Sequence, residues 1–463
     1  MLGSLICLAG PGRGTTRAAN SDLAELWTER VKTVVAVEFF TETEVERQSS
    51  QTFGTVVDEN GTIIIPSQSI GDRVARDQLR DFRVYMPGAS TAHAYPARYL
   101  GHDELTGWEF IQVMDTKATE QMVPITRFRA SGVPTVTQEL WGIGLKKKDE
   151  NFAPYFMTSR VSILQHLPQH TALAAQEITG LGLPVFDQNG AFAGLGIGGF
   201  GQTFLQFSGR DRGGLPVVMI NPDECAAVLL AEEVLPYLKR VPQNLNGRPL
   251  PWLGSNGLQP LDPEVARFLH LDNQAGLVVS EVLEGSPAAI AGLRERDIVL
   301  SINGEPLPDL RPDRVLITYF QREVNRRSPG DTMQLGILRD GQKMELKAVL
   351  TDAPELPRET ARRFFEDLRF TVRKFTYVDA IVRGLKVADQ RGVIVDYVNP
   401  GAPVGLAGLR QDDWIKEIDE TDLDGFATAV KVLDAIEADH DRKEFSILID
   451  RGGEDSVLRV KLH

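Results

Sequence analysis

The chain has little of what would assign it to several common functional classes. Its 463 residues include only two cysteines, Cys7 and Cys225, which make neither a disulfide framework nor a Cys-x-x-Cys site. The seven histidines and two cysteines form no group of four zinc ligands close together in the sequence, and no apolar run is long enough to cross a bilayer. The formal net charge of -14 disfavours binding to nucleic acid. We therefore expect no metal site, no transmembrane segment and no nucleic-acid partner.

The first twenty residues leave two interpretations open. Leu2 to Gly10 is a short apolar stretch, and Ala18-Ala19 offers small residues for cleavage, as in a signal peptide. A disordered N-terminus, residues 1–20, fits equally well because no basic start precedes the apolar stretch. The first interpretation predicts an exported protein, and the second predicts a cytoplasmic one.

Short strands separated by turn residues dominate the region from residue 34 to residue 200. Val34 to Phe40 reads as a strand, and Asn60-Gly61 separates two apolar stretches as a hairpin turn does. This pattern predicts an antiparallel barrel or sandwich. Asn221-Pro222 then predicts the start of a helix that continues to Leu238.

A glycine-rich stretch from Gly194 to Gly199 satisfies the GxGxxG pattern of dinucleotide-binding proteins. That pattern needs a helix immediately afterwards, whereas residues 200–207 alternate like a strand. We therefore expect no cofactor.

The last two hundred residues contain an internal repeat with an offset of 116 residues (392 minus 276). The stretch from Gly276 to Val279 matches the stretch from Gly392 to Val395, and Asp297 matches Asp413. Further matches at the same offset, without gaps, indicate two small domains of the same kind.

The repeated stretches GSPAAIAGLRERDIVLSINGEPL and GAPVGLAGLRQDDWIKEIDETDL resemble PDZ domains of the bacterial type. With a trypsin-like domain ahead of them, the order resembles the HtrA (Deg) family of envelope proteases. The resemblance implies a mostly β fold: a trypsin-like double β-barrel followed by two PDZ domains, which are small β-barrels with two helices each. The implied boundaries are a protease-like domain over residues 21–240, a linker over 241–250, and PDZ domains over 251–353 and 354–463.

The family's catalytic positions hold residues that cannot perform the chemistry. The histidine falls on Gln68, the aspartate on Gly107 and the nucleophilic serine on Leu181. An amide does not titrate near neutral pH, glycine has no carboxylate, and leucine cannot form an acyl intermediate. The oxyanion-hole glycine falls on Thr179, whose Cβ puts the hole itself in question. We therefore predict that the catalytic triad has been lost.

A PDZ domain captures a chain end by adding it to a sheet edge, while loop amides hold its carboxylate. In the first copy this loop is Trp252-Leu253-Gly254-Ser255, and Gly254 allows the close approach of a carboxylate. The pocket helix would run over residues 313–324, where three residues can line the pocket or pack in the core: Leu316, Tyr319 and Phe320.

In the second copy the loop is Leu368-Arg369-Phe370-Thr371, and the pocket helix would run over residues 426–436. Arg369 stands in place of the glycine, and it either attracts a carboxylate or blocks the groove. The first copy is therefore favoured for peptide capture.

The sequence favours an inactive HtrA-like protein that binds unfolded or C-terminal peptide segments as an adaptor, a chaperone-like holder or a regulator of an active relative. Two alternatives remain. One is an active serine endopeptidase that uses non-standard residues, and the other is a cell-envelope scaffold whose PDZ grooves are closed by its own segments. The resemblance implies location in the bacterial periplasm or cell envelope, and a homo-oligomer, namely a trimer.

Overall fold

The computed structural model describes residues 15–43, 45–71, 73–198, 224–247, 250–271, 274–311, 313–385 and 391–462. The chain divides into two compact units. The first ends at residue 247, and the second comprises the remainder together with short segments around residues 45 and 75. No helix in these described ranges is long and apolar enough to cross a membrane.

The first unit begins with helix α1 (Thr15–Arg30), which starts earlier than the predicted domain start at residue 21. Residues 1–14 of the possible signal peptide lie outside the described residues. The ring of Trp27 on α1 lies 6.4 Å from the ring of Trp141. The Arg30 guanidinium donates to the Gly190 carbonyl at 2.9 Å, and together these contacts hold the helix on the unit.

Six antiparallel strands close the first barrel in the order β1-β2-β3-β6-β5-β4. The predicted hairpin around Asn60-Gly61 is present, because Thr55 pairs with Ile64 across it. The strands are β1 (Val34–Glu42), β2 (Arg47–Val56), β3 (Thr62–Pro66), β4 (Leu79–Tyr85), β5 (Tyr95–Asp103) and β6 (Trp108–Val113), and a short helix α2 (Thr116–Thr119) follows.

A second closed barrel has the order β11-β12-β14-β9-β8-β7, and strands β10 and β13 pair beside it. Its strands are β7 (Glu139–Leu145), β8 (Pro154–Gln165), β9 (Thr171–Ala174), β10 (Thr179–Gly180), β11 (Pro184–Phe186), β12 (Phe192–Ile197), β13 (Glu224–Cys225) and β14 (Ala227–Leu230), and helix α3 (Ala231–Val234) ends it. Large side chains from both barrels, including Phe110, Trp141 and Phe186, form one core.

The predicted helix from Asn221-Pro222 to Leu238 is wrong over its central part. Ala227–Leu230 is the strand that pairs with β12 and β9, and all four of its residues are buried. A short apolar run buried on both faces has no periodicity that separates a strand from a helix. Residues 221–223, where the helix was expected to start, lie outside the described residues.

The second unit contains two modules, which we call module 1 (residues 250–353) and module 2 (residues 354–462). Module 1 has strands β15 (Pro251–Trp252), β16 (Ser255–Asn256), β17 (Gln259–Pro260), β18 (Leu277–Val278), β19 (Glu281–Val282), β20 (Ile298–Ile302), β21 (Glu305–Pro306), β22 (Thr332–Arg339), β23 (Gln342–Val349) and β24 (Thr351–Asp352). Its helices are α4 (Pro263–Phe268), α5 (Pro287–Ile290) and α6 (Val315–Asn325).

Module 2 has a similar order of elements, with fewer and longer strands. Its strands are β25 (Arg362–Phe365), β26 (Phe370–Lys374), β27 (Val393–Val398), β28 (Trp414–Ile418), β29 (Thr421–Asp422), β30 (Glu444–Arg451) and β31 (Glu454–Lys461). Its helices are α7 (Tyr377–Val382), α8 (Pro403–Leu406) and α9 (Phe426–Ala438).

Each module contains an ion pair between a buried aspartate and an arginine, and this pair explains one match of the repeat. Asp297 is 1% exposed and accepts two hydrogen bonds from Arg339, at 2.6 and 2.7 Å. Asp413 is equally buried and accepts two from Arg451, also at 2.6 and 2.7 Å. A buried carboxylate needs such a partner, so both copies keep the same aspartate.

Candidate functional site

A cavity of about 120 Å³ in the first unit brings together the three positions that sequence reasoning assigned to the triad. Gln68, Gly107 and Leu181 all line it, although they lie far apart in the chain. None of the residues that line this cavity has an ionisable side chain. Ser67 and Thr106 provide its side-chain hydroxyls.

Gln68 lies in a single 3₁₀ turn, Ser67–Ser69, directly after strand β3. Its side chain is exposed, and its Oε1 lies 3.6 Å from the point that a Cβ would take on Gly198. The Ser67 amide donates to the Gly107 carbonyl at 2.9 Å. This backbone bond fixes the positions of Gln68 and Gly107 relative to each other.

Gly107 closes the tight turn between β5 and β6. Its amide donates to the Asp103 carbonyl at 2.9 Å, and the Thr106 hydroxyl donates to the Asp103 carboxylate at 2.8 Å. Its φ is +66°, in the left-handed region where a side chain is strained. The backbone therefore favours glycine at this position.

Leu181 lies on a second tight turn, just ahead of strand β11. The following residue, Gly182, has a φ of +73°, and its amide donates to the Gly196 carbonyl at 2.8 Å. A Cβ on Gly182 would come within 2.5 Å of the Pro66 ring. The turn is thus packed against the end of β3, and it presents a half-buried hydrocarbon to the cavity.

Thr179 does not line the cavity. It lies in strand β10 with its side chain fully buried, and its hydroxyl lies 3.1 Å from the Ile143 carbonyl and 3.2 Å from the Pro184 carbonyl. The Thr179 methyl group packs against Gly196, and a Cβ added at Gly196 would lie 2.4 Å from that methyl group. In the structure, Thr179 is a core residue with satisfied hydrogen bonds, and its Cβ does not obstruct the cavity.

The ionisable residues near the β5–β6 turn are engaged with one another. His102 is 5% exposed, and its two ring nitrogens lie 2.6 Å from Glu104 and 3.1 Å from Glu109. Burial alone would lower the pKa of His102, but the hydrogen bonds to these carboxylates outweigh it and raise the pKa to about 9. Asp103 accepts from the Arg240 guanidinium at 2.9 Å.

No sequence motif marks His102, Glu104 and Glu109 as a cluster. The signal that could have revealed it is the register of the hairpin, because His102 and Glu109 are directly paired across β5 and β6. Among the described residues, no group of three or more His, Cys, Asp or Glu side chains could hold a metal ion.

The loop of module 1 is placed as a PDZ binding loop would be, at the start of a sheet edge. Leu253 is buried in the core, while Trp252 and Ser255 are half-buried. Gly254 has a φ of +80°, and its Cβ would lie 2.1 Å from the Cβ of Ser286. Glycine is therefore required here by a contact within the module, and not only by access for a carboxylate.

The pocket helix of module 1 turns two of its three candidate residues inward. Leu316 and Phe320 are buried in the core of the module. Tyr319 is half-exposed, and burial first, then the nearby Glu323 carboxylate, raises its pKa. Tyr319 is therefore the residue of the three that remains available to a ligand.

The loop of module 2 has the same backbone as that of module 1, with Arg369 in place of Gly254. Arg369 has a φ of +51°, and its carbonyl accepts from the Asn399 amide at 3.0 Å, as Gly254 accepts from Leu283 at 3.0 Å. The Arg369 side chain is exposed. The other three residues of the loop are buried: Leu368, Phe370 and Thr371.

Two six-stranded barrels around a cavity, followed by modules with PDZ topology, define a trypsin-like protease homologue with PDZ domains. The PDZ domain family model matches residues 278–317. The HtrA-type protease AlgW, solved with a tripeptide, shares the fold with a TM-score of 0.52 and 17% identity, over 72% of this chain and 98% of that chain.

The curated relatives point the same way. A probable periplasmic serine endoprotease DegP-like of Ectopseudomonas mendocina is 30% identical over 219 residues, 46% of this chain and 43% of the relative. The periplasmic pH-dependent serine endoprotease DegQ of Escherichia coli is 29% identical over 209 residues, 45% of this chain and 41% of the relative. The chain is similar in sequence to the HtrA/DegP-type serine endoproteases, and the mostly β fold predicted from its sequence is confirmed. The matched part spans less than half the length of these relatives.

Proposed function

We propose that this chain is a catalytically inactive member of the family that captures C-terminal or unfolded peptide segments through module 1. One observation carries the first half of the proposal. The cavity at the triad positions is lined by an amide, a glycine and a leucine, and no ionisable side chain lines it among the described residues.

The two hydroxyls in the cavity do not replace the missing nucleophile. Acyl transfer by a hydroxyl needs a neighbouring base that takes its proton. Thr106 does contact a carboxylate, that of Asp103, but this contact closes a turn. Both oxygens of Asp103 also accept from Arg240, so the carboxylate serves as a structural anchor. Ser67 has no ionisable neighbour among the residues that line the cavity.

Peptide capture is supported by the free sheet edge of module 1. Strand β17 is the last strand of its sheet, and β18 pairs with one side of it. No strand pairs with its other side in the described residues of module 1, so a chain end can be added there. Tyr319 on the pocket helix then offers a half-exposed ring to the last side chain.

An inactive protein with this property would act as an adaptor, a holder of unfolded chains or a regulator of an active relative. The relatives are described as periplasmic endoproteases, which supports a location in the periplasm or cell envelope. A homo-oligomer, namely a trimer, belongs to the same proposal.

The test combines purified full-length protein with unfolded casein and with a fluorescent peptide that has a free carboxyl terminus. We expect casein to stay intact and the peptide to raise fluorescence anisotropy. Tyr319→Ala should weaken binding about tenfold, because an aromatic anchor often contributes more than 1 kcal/mol. Thr318→Ala, on the exposed side of the same helix, is the matched control.

The alternatives give different results in the same experiment. Casein degradation that disappears when one residue around the cavity is changed would support an active protease. Intact casein without peptide binding to either module would support the scaffold.

A further inference from the structure

Module 2 has a strand, β25, for which the described residues of module 1 contain no counterpart. Its sheet runs β25-β26-β27-β28-β30-β31, whereas the sheet of module 1 runs β17-β18-β20-β22-β23. Strand β26 corresponds to β16 and β17 taken together, because its partners Val398 and Val393 are the repeat counterparts of Val282 and Leu277, the partners of β16 and β17. The edge that is open on β17 is therefore occupied by β25 on β26.

Strand β25 also contacts the pocket helix of its module. Phe365 is fully buried and shares a core cluster with Leu433 and Ile436 of α9. Arg363 lies 3.4 Å from Asp434 of the same helix. The strand thus lies between the sheet edge and the helix that together form a PDZ groove.

The register of β25 is that of a bound chain end. It runs antiparallel to β26, and its last residue, Phe365, pairs with Phe370, the first residue of β26. The Phe365 carbonyl accepts from the Arg369 amide of the binding loop at 2.8 Å. A loop amide that would otherwise bind a terminal carboxylate is therefore already used.

The carboxylate charge is also supplied internally. Glu437, near the end of α9, accepts from the amides of Asp367 and Leu368 at 2.8 and 3.2 Å. Backbone amides that converge on a carboxylate are the feature by which a PDZ loop recognises a chain end.

We propose that residues Arg362–Phe365 are an internal ligand of module 2. Phe365 takes the place of a ligand's last residue, and Glu437 takes the place of its terminal charge. Module 2 is then closed to free chain ends while β25 is in place, and an incoming peptide must displace the strand. The inference rests on module 2 having a PDZ groove, but not on the inactive cavity or on capture by module 1.

The test uses the full chain and a peptide, Arg-Arg-Phe-Phe with a free carboxylate, that carries a photo-crosslinker at its N-terminus. Mass spectrometry of the crosslinked residues separates module 1 from module 2. With the wild-type chain, we expect no crosslinks to β26 or α9. With Phe365→Ala, we expect crosslinks to β26 and α9 and about tenfold stronger apparent binding of the peptide. The substitution should lower the melting temperature, and the bound peptide should partly restore it.

Phe364→Ala is the control, because this neighbouring ring is only half-buried and its removal should leave the groove closed. If Phe365→Ala does not fold, Glu437→Gln keeps the packing and removes the charge, and it should also increase crosslinking to module 2. Equal crosslinking of module 2 in the wild-type chain and in the folded variant would overturn the proposal.

A folded Phe365→Ala chain that never binds the peptide in module 2 would also overturn it. Crosslinks to residues 250–353 report on module 1 separately.

Discussion

Gly107 shows how a single residue links the proposed loss of catalysis to the local backbone. Its left-handed φ closes the β5–β6 turn, and its carbonyl accepts from the amide of Ser67, the residue before Gln68. Most side chains would be strained here, although aspartate tolerates this region better than most residues. Restoring an aspartate at this position would still leave its partners missing.

Gly107→Ala should destabilise the first unit by about 1 kcal/mol, because an L-residue is strained in the left-handed region. Urea unfolding followed by tryptophan fluorescence measures the change. Gly132→Ala is the matched control, since Gly132 has no positive φ and its Cβ would meet nothing within 4 Å. Equal stability of the two variants would contradict the strained turn.

His102 predicts a pH dependence of the same unit. Its pKa is raised to about 9 in the folded state, compared with 6.5 for an unperturbed histidine. The stabilisation is therefore complete below pH 6.5 and is lost as the pH rises towards 9. The full effect is about 3 kcal/mol, at roughly 1.4 kcal/mol per pKa unit.

The urea midpoints of the wild-type chain and of His102→Gln, measured from pH 6 to pH 10, test this dependence. The two curves should be far apart at pH 6 and should converge above pH 9. The exposed His93 provides the control substitution, His93→Gln, which should track the wild type throughout. A constant difference between wild type and His102→Gln would show that the contribution of His102 is packing and not charge.

At the scale of elements, Gly254 packs against the helix cap of α5. A Cβ added at Gly254 would lie 2.1 Å from the Cβ of Ser286. The Ser286 hydroxyl accepts from the Ala289 amide at 3.2 Å and so caps the helix. A bulky residue at Gly254 is therefore a folding defect in module 1 and not a clean block of the groove. Substitutions on the pocket helix are better tests of peptide capture.

A double-mutant cycle isolates this contact. Gly254→Ala should cost about 2–4 kcal/mol, from the left-handed φ and the overlap with Ser286. Ser286→Gly alone should cost only a few tenths of a kcal/mol, because glycine is tolerated at an N-cap. The double variant should recover part of the loss, as measured by thermal unfolding. Strict additivity of the two changes would contradict the contact.

The sequence predicted the order of the elements better than the contacts between them. The repeat at Asp297 and Asp413, the binding loops and the hairpin at Asn60-Gly61 all have local signals. The strand at Ala227–Leu230 does not, because a short buried run has no diagnostic period. Strand β25 was missed because its role depends on α9, which lies about sixty residues away in the chain.

The candidate site shows the same division. The three triad positions could be aligned from motifs, and the structure brings them around one cavity. The buried location of Thr179 and the pairing of His102 with two carboxylates depend on strand register and side-chain direction. Motif alignment does not contain that information.

At the scale of the whole molecule, the parts of the chain have different proposed roles. The barrels have the fold of a trypsin-like hydrolase, the described residues of module 1 leave one edge of β17 unpaired, and β25 pairs with the corresponding edge in module 2. The family resemblance adds a symmetric assembly to this picture. Light scattering coupled to size exclusion should give a mass of about three chains, and a monomer at micromolar concentration would contradict the proposed trimer.

The proposed inactivity of the cavity is tested most directly by intact-protein mass spectrometry after exposure to a fluorophosphonate probe for activated serines. The mass of the chain should stay unchanged, because none of the described residues that line the cavity is a base that could activate the hydroxyls of Ser67 or Thr106. A single probe adduct on a residue of the first unit would contradict the proposed inactivity if substitution of that residue abolished both the adduct and proteolysis.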